Sequence, residues 1–200
     1  MKFAQYSLLL LAILAGVAAC NSKPGIQDVK ADTSKAVAKS GLMEEESLRQ
    51  AALDGKIDEV KQLLEAGTNV NAPNAEGRNA LMSAAFNGHS GIVLTLLDSG
   101  AALERRDLVG RTALFYASTG PFPETVKILL DKGAEPNIVD SEEHFSPLMF
   151  AASEGNLEVV RILMEYKADP ALTDVDGDNA ETFARQAGHI EVAEFLHSFH

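Results

Sequence analysis

The sequence predicts an all-α protein: a solenoid of about five helix-turn-helix repeats with short β-hairpin-like fingers, set behind an apolar leader and a polar tether. Three observations carry that prediction. Leucine recurs at Leu48, Leu81, Leu114 and Leu148, in steps of 33, 33 and 34 residues. Seven residues later a glycine follows at Gly55, Gly88 and Gly155, with Gly188 holding the place in a last unit. A second leucine series (Leu63, Leu96, Leu129, Leu163, Leu196) keeps the same period, as do Val60, Val93, Val126 and Val160, with Ala193 closing. Repetition at this spacing marks units that cannot bury their apolar faces alone and must stack to do so.

At the start of the chain, Lys2 precedes a run of twelve apolar residues, Leu8 to Ala19. A membrane span needs about 20. The run instead fits the apolar core of a signal peptide closed by small residues. The single cysteine, Cys20, has no intramolecular partner. Placed directly after Val17-Ala18-Ala19, it resembles the lipobox of bacterial lipoproteins. That resemblance implies cleavage before Cys20, diacylation of its sulfur and a membrane anchor, since two acyl chains suffice for stable attachment. By similarity to enteric lipoproteins, Asn21 is not the aspartate that retains such proteins at the inner membrane. Outer-membrane placement facing the periplasm is therefore expected. The expected divisions are a signal peptide over 1–19, a flexible tether over 20–43 that begins with lipidated Cys20, and repeats over 44–200. Residues 21–43 are polar and keep no helical or strand period.

The repeat units are expected at about 45–74, 75–107, 108–140, 141–174 and 175–200. In each, a first helix carries a small pair (Ala51-Ala52, Ala84-Ala85, Ala117-Ser118, Ala151-Ala152) that admits a neighbouring backbone. A second helix places Val and Leu three apart on one face. Gly67, Gly100 and Gly133 then stand where a helix end favours positive φ. Polar turns such as Glu76-Gly77-Arg78 and Val109-Gly110-Arg111 form the fingers.

Gly110-Arg111-Thr112-Ala113-Leu114 with Val126 to Ala134, and Ser146 to Val160, closely resemble the ankyrin repeat, in fixed register over about residues 45–200. The departures are specific. Met82, Phe115 and Met149 replace the family's histidine, so packing is expected to substitute for its hydrogen bonds. Pro121 takes a glycine place, which predicts a stiff, irregular third turn. Ser141 to Phe145 holds one extra residue, and Lys167 takes a helix-end glycine place, so that helix is expected to end differently. Glu181 and Arg185 put polar groups on the last unit, as a terminal cap requires.

The charge of -12 argues against nucleic acid, whose phosphates need clustered Lys and Arg. No catalytic residue, metal site or cofactor is predicted. His89 and His189 sit at a structural Gly-His step. His197 and His200 lack a third zinc ligand. Asp174 to Asp178 resembles a calcium loop only faintly, because the loop-closing twelfth position is Arg185. The resemblance implies instead a monomeric module that binds a protein with its fingers and first helices. Carried over by register, the binding positions include Phe86, Asn87, Leu108, Val109, Arg111, Glu142, Glu143, Phe145 and Glu154, with Val175, Asp176 and Asp178 on the last finger. Arg106 is expected beside the same surface, and Phe122, between two prolines in the irregular turn, to project from it. A basic protein partner suits the acidic rim. Family precedents imply either an envelope stress factor associated with a catalase or an immunity protein that neutralises a periplasm-delivered toxin. An enzyme using an inter-repeat pocket and a ligand-free envelope spacer are the rival classes.

Overall fold

The computed structural model describes residues 33–199, with side chains from Gly41 onward; the expected signal peptide and Cys20 lie outside the described residues. Contacts divide the chain into Met1–Ala36 and a compact unit of Val37–His200. Helices α1 (Thr33–Leu53) and α2 (Ile57–Glu65) form the first pair, and α3 (Ala80–Phe86) and α4 (Ser90–Asp98) the second. Then come α5 (Ala113–Ser118) with α6 (Pro123–Asp131), α7 (Pro147–Ser153) with α8 (Leu157–Glu165), and α9 (Ala180–Ala187) with α10 (Ile190–His197). First helices pack in the order α3, α5, α7, α9, and second helices in the order α2, α4, α6, α8, α10, giving two layers. Among the described residues no strand forms, and the only bridge joins Thr173 to Asn179.

Each first helix from the second unit on starts at a side-chain cap. Asn79, Thr112, Ser146 and Asn179 accept a hydrogen bond from the backbone N–H of Met82, Phe115, Met149 and Thr182. Such a cap contributes about 1 kcal/mol. Pro123 and Pro147 open α6 and α7, where a missing N–H costs nothing. The repeated Leu and Val series are buried throughout, apart from half-buried Leu63 in the terminal unit. The small pairs are fully buried too, as are Met82, Phe115 and Met149, so packing does stand where hydrogen bonds were expected to be lost.

Two expectations fail locally. Residues 33–43, placed in the tether, belong to α1. Leu42 and Met43 there are largely exposed. Its Ala and Lys residues favour helix, and extension from an already packed helix avoids the cost of nucleation. Lys167 also ends its helix much as glycine does, with φ 65° beside 88°, 86° and 95° at Gly67, Gly100 and Gly133. The same closing bond forms, Ala168 N–H to Leu163 O at 2.9 Å, matching Ala134 to Leu129 at 3.0 Å. That closure offsets the strain of a left-handed lysine, about 1–2 kcal/mol.

At three of the four junctions, consecutive hairpins are pinned by a ring laid on a glycine. A Cβ on Gly55 (φ 77°) would stand 2.7 Å from the His89 ring. In the third unit Pro121 removes the glycine and Phe122 replaces the histidine, so the Phe122 ring covers Gly88 (φ 68°). His189 covers Gly155 in the same way. Gly88→Ala combines left-handed strain with overlap of Phe122. It is expected to cost about 3 kcal/mol and to lower the melting temperature by roughly 6–12 °C, measured by circular dichroism.

Candidate protein-binding face

One side-chain oxygen closes each finger. Asn74 Oδ1 accepts the N–H groups of Glu76 and Arg78, at 3.1 and 2.9 Å. Asp107 Oδ1 accepts those of Val109 and Arg111, at 3.0 and 2.8 Å. Asp174 Oδ1 does the same for Asp176 and Asp178, at 3.0 and 2.8 Å. In the longer fourth finger Asp140 Oδ1 reaches Glu143 and Phe145, at 3.0 and 3.3 Å, and the extra residue leaves His144 at φ 60°. Asn and Asp suit this place because their short side chains satisfy local backbone donors in a turn.

The closed tips then bond to one another. Leu108 N–H donates to Glu76 O at 3.0 Å, Ser141 to Val109 O at 2.9 Å, and Val175 to Glu143 O at 3.1 Å. Four fingers thus form one edge with fixed register. Beneath it, the second carboxylate oxygens of Asp107 and Asp140 are occupied. Tyr116 donates its hydroxyl to Asp107 Oδ2 at 2.6 Å. Burial, reinforced by that carboxylate, pushes the Tyr116 phenol far above its ordinary pKa, so it stays a neutral donor. Arg111 donates from Nη2 and Nε to Asp140 Oδ2, at 3.0 and 3.3 Å. Its guanidinium also lies 5.0 Å from the Phe115 ring centre.

That pairing corrects the expectation for Arg111, which is buried and holds the finger bases rather than offering a contact. Phe145 is corrected likewise. It is buried between Phe150 and Phe183, with ring centres 5.4 Å from each, because it holds the inward place of Arg111, one residue before the helix cap. Its carbonyl accepts from the Asp140 N–H as that of Arg111 does from Asp107. Phe122 sits half-buried over Gly88 and does not project. Phe86 is half-buried, its edge against Tyr116 at 6.2 Å. Leu108, at 75% exposure, is the most exposed large apolar residue described; Asn87, Arg106, Glu142 and Glu154 are also exposed. Val109 and Glu143 are half-exposed. Asn87 already donates to Leu53 O at 2.8 Å, tying the first two units together.

The supporting residues Asp107, Asp140 and Tyr116 were not singled out from the sequence. Their signal was present: Asn74, Asp107, Asp140 and Asp174 recur in steps of 33, 33 and 34. Among the described residues no group of three or more His, Cys, Asp or Glu converges as a metal site, and no helix is long and apolar enough to cross a membrane. Asp174, the first residue of the calcium-like segment, holds its own finger.

Removing one partner of a buried ion pair strands the other charge, at a cost of about 3–5 kcal/mol. Arg111→Met is therefore expected to lower the denaturant midpoint sharply in urea unfolding. Leu108→Asp should leave it nearly unchanged, since that side chain stands in water.

The family described as Ankyrin repeats (3 copies) matches residues 48–140 and 122–199. The human ARF GTPase-activating protein GIT1 is 42% identical over 63 residues, which is 32% of this chain and 8% of that protein. The mouse and rat proteins of the same name match to the same extent. The chain spans less than a tenth of the length of these curated relatives. Helix pairs stacked in two layers, fingers at each junction and the family match over most of the chain lead to one conclusion: the chain belongs to the ankyrin-repeat family, whose arrays are protein-interaction scaffolds.

Proposed function

We propose that the chain is a lipid-anchored, periplasm-facing protein-binding module that holds its partner against the finger edge and the adjoining first helices. The carrying observation is Leu108, 75% exposed on a tip whose backbone is bonded on both sides. An apolar group held in water on a rigid support suits an interface anchor. The family membership supports protein binding in general. The GTPase-activating activity in the relatives' name belongs to much longer chains and forms no part of the proposal. The anchor rests on Cys20 after Val17-Ala18-Ala19 and an apolar leader.

Two envelope roles fit this module and differ in what it holds. A stress factor would retain a catalase of its own cell. An immunity protein would retain a toxin made by another cell.

Two measurements bear on the proposal. Cys20→Ser should leave circular dichroism unchanged while moving the chain from the membrane to the soluble fraction; persistent membrane association would defeat the anchor. Leu108→Asp should reduce capture of the membrane-associated partner at least tenfold, as expected for loss of a central anchor. Undiminished capture would defeat the assigned face.

A further inference from the structure

The tip bonding sorts the exposed residues into two rows. Residues whose N–H reaches back to the preceding finger are Leu108, Ser141 and Val175, with Ala75 in the same place on the first of the four fingers. All are uncharged, and Leu108 and Val175 are 75% and 54% exposed. The neighbouring row is Glu76, Val109, Glu142 with Glu143, and Asp176. It is acidic except at Val109. Glu76 is already paired with Arg78 at 3.3 Å. Among the described residues no Lys, Arg or His forms an ion pair with Glu142 or Glu143. The edge therefore presents two apolar studs, on the third and fifth units, with two carboxylates free for a cation on the fourth.

Given that this face binds a protein, we infer that its ligand is an extended basic segment carrying two apolar side chains six residues apart, with cationic side chains on the same face between them. The spacing follows from geometry. Adjacent helices pack about 8–10 Å apart, so studs two units apart are separated by roughly 16–20 Å. An extended chain rises about 3.3 Å per residue, and side chains two apart share a face. Positions one and seven therefore span the studs, while positions three and five face the fourth finger. Charge complementarity selects Arg or Lys there, because an acidic side chain beside Glu142 and Glu143 would be repelled. The register is held by the three tip-to-tip bonds, so the pattern of the ligand is set by the array before binding.

The test uses the full chain in detergent micelles and synthetic fluorescent peptides read by anisotropy. One peptide carries leucine at positions one and seven, arginine at three and five, and serine elsewhere. A second replaces both arginines with glutamate, and a third moves the leucines three apart. The first is expected to bind about tenfold or more tighter than either other, and Leu108→Asp to weaken it and abolish its advantage over the third. Glu142→Lys combined with Glu143→Lys should invert the preference in favour of the glutamate peptide; circular dichroism confirms that this variant remains folded. Equal binding of the arginine and glutamate peptides overturns the inference. If capture of the membrane partner still depends on Leu108 in that case, the face stands and only the ligand chemistry falls. If capture is also indifferent to Leu108, the face falls as well. Self-association of the chain that Leu108→Asp abolishes would assign the studs to a second copy and equally overturn the inference.

Discussion

The accessible edge depends on a side-chain oxygen that accepts two backbone N–H groups at the base of each finger: Asn74, Asp107, Asp140 or Asp174. A turn of this kind has more backbone donors than its own carbonyls can satisfy, and an unsatisfied donor costs about 1–3 kcal/mol where water is excluded. Because the side chain takes the inward donors, one outward N–H per tip is left for the preceding finger. The edge is thus assembled from turns, without strands, and its register is inherited from the helices below. Asp107 and Asp140 add a second function that Asn74 cannot fill with the same charge. Their other oxygens receive Tyr116, which ties the third finger base to its own helix pair, and Arg111, which ties the third finger base to the fourth.

The helical layers supply the height and spacing of that edge. Small residues let the first helices approach, and ring-on-glycine contacts fix the hairpins at three of the four junctions, all but the one between the third and fourth units. In the middle of the array, aromatic side chains take over. Phe115 lies 4.8 Å from Phe150, which contacts Phe145, which contacts Phe183, so one run of rings crosses the third to fifth units. Such packing has no polar group to satisfy, which is why the loss of the family's histidine is tolerated. The ends are treated differently. Arg49 bridges Glu46 and the carbonyl of Ala72 at one end. At the other, burial would raise the Glu181 pKa, but hydrogen bonds from Arg185 and His197 outweigh it and hold the carboxyl below its usual range. In an array where each unit contacts only its neighbours, these polar ends cover faces that have no next repeat.

Much of this was legible in the sequence, and the parts that were not share a cause. A fixed period identifies which positions are equivalent, so the buried Leu and Val series, the small pairs and the exposure of Leu108 followed directly. Equivalence does not say what a side chain meets across a junction. Arg111 and Arg78 occupy the same place in successive fingers, yet Arg111 is paired with buried Asp140 while Arg78 pairs with exposed Glu76. Phe145 is expected on the finger, but it holds the inward place of Arg111 beside the helix cap, and the added residue lengthens the tip instead. The helical stretch before Glu44 was missed for a different reason. Periodicity detects only helices that need a buried face, and this segment extends one already anchored at Leu48.

The division between supporting and exposed groups explains why binding need not disturb the fold. The buried polar groups of the fingers are spent on one another: Tyr116 on Asp107, and Arg111 on Asp140. What remains at the surface is side chains alone, Leu108 and Val175 with Glu142 and Glu143, on a backbone already held in place. A loop that had to order itself on contact would lose about 1–2 kcal/mol per residue in backbone freedom. The tip bonds and finger-base oxygens meet that cost during folding, so affinity can be set by a few apolar and charged contacts. Specificity can then change by substitution at the tips without reaching the core. The same separation accounts for the irregular fourth finger, where a longer loop carries two acidic residues outward while Asp140 still closes its base.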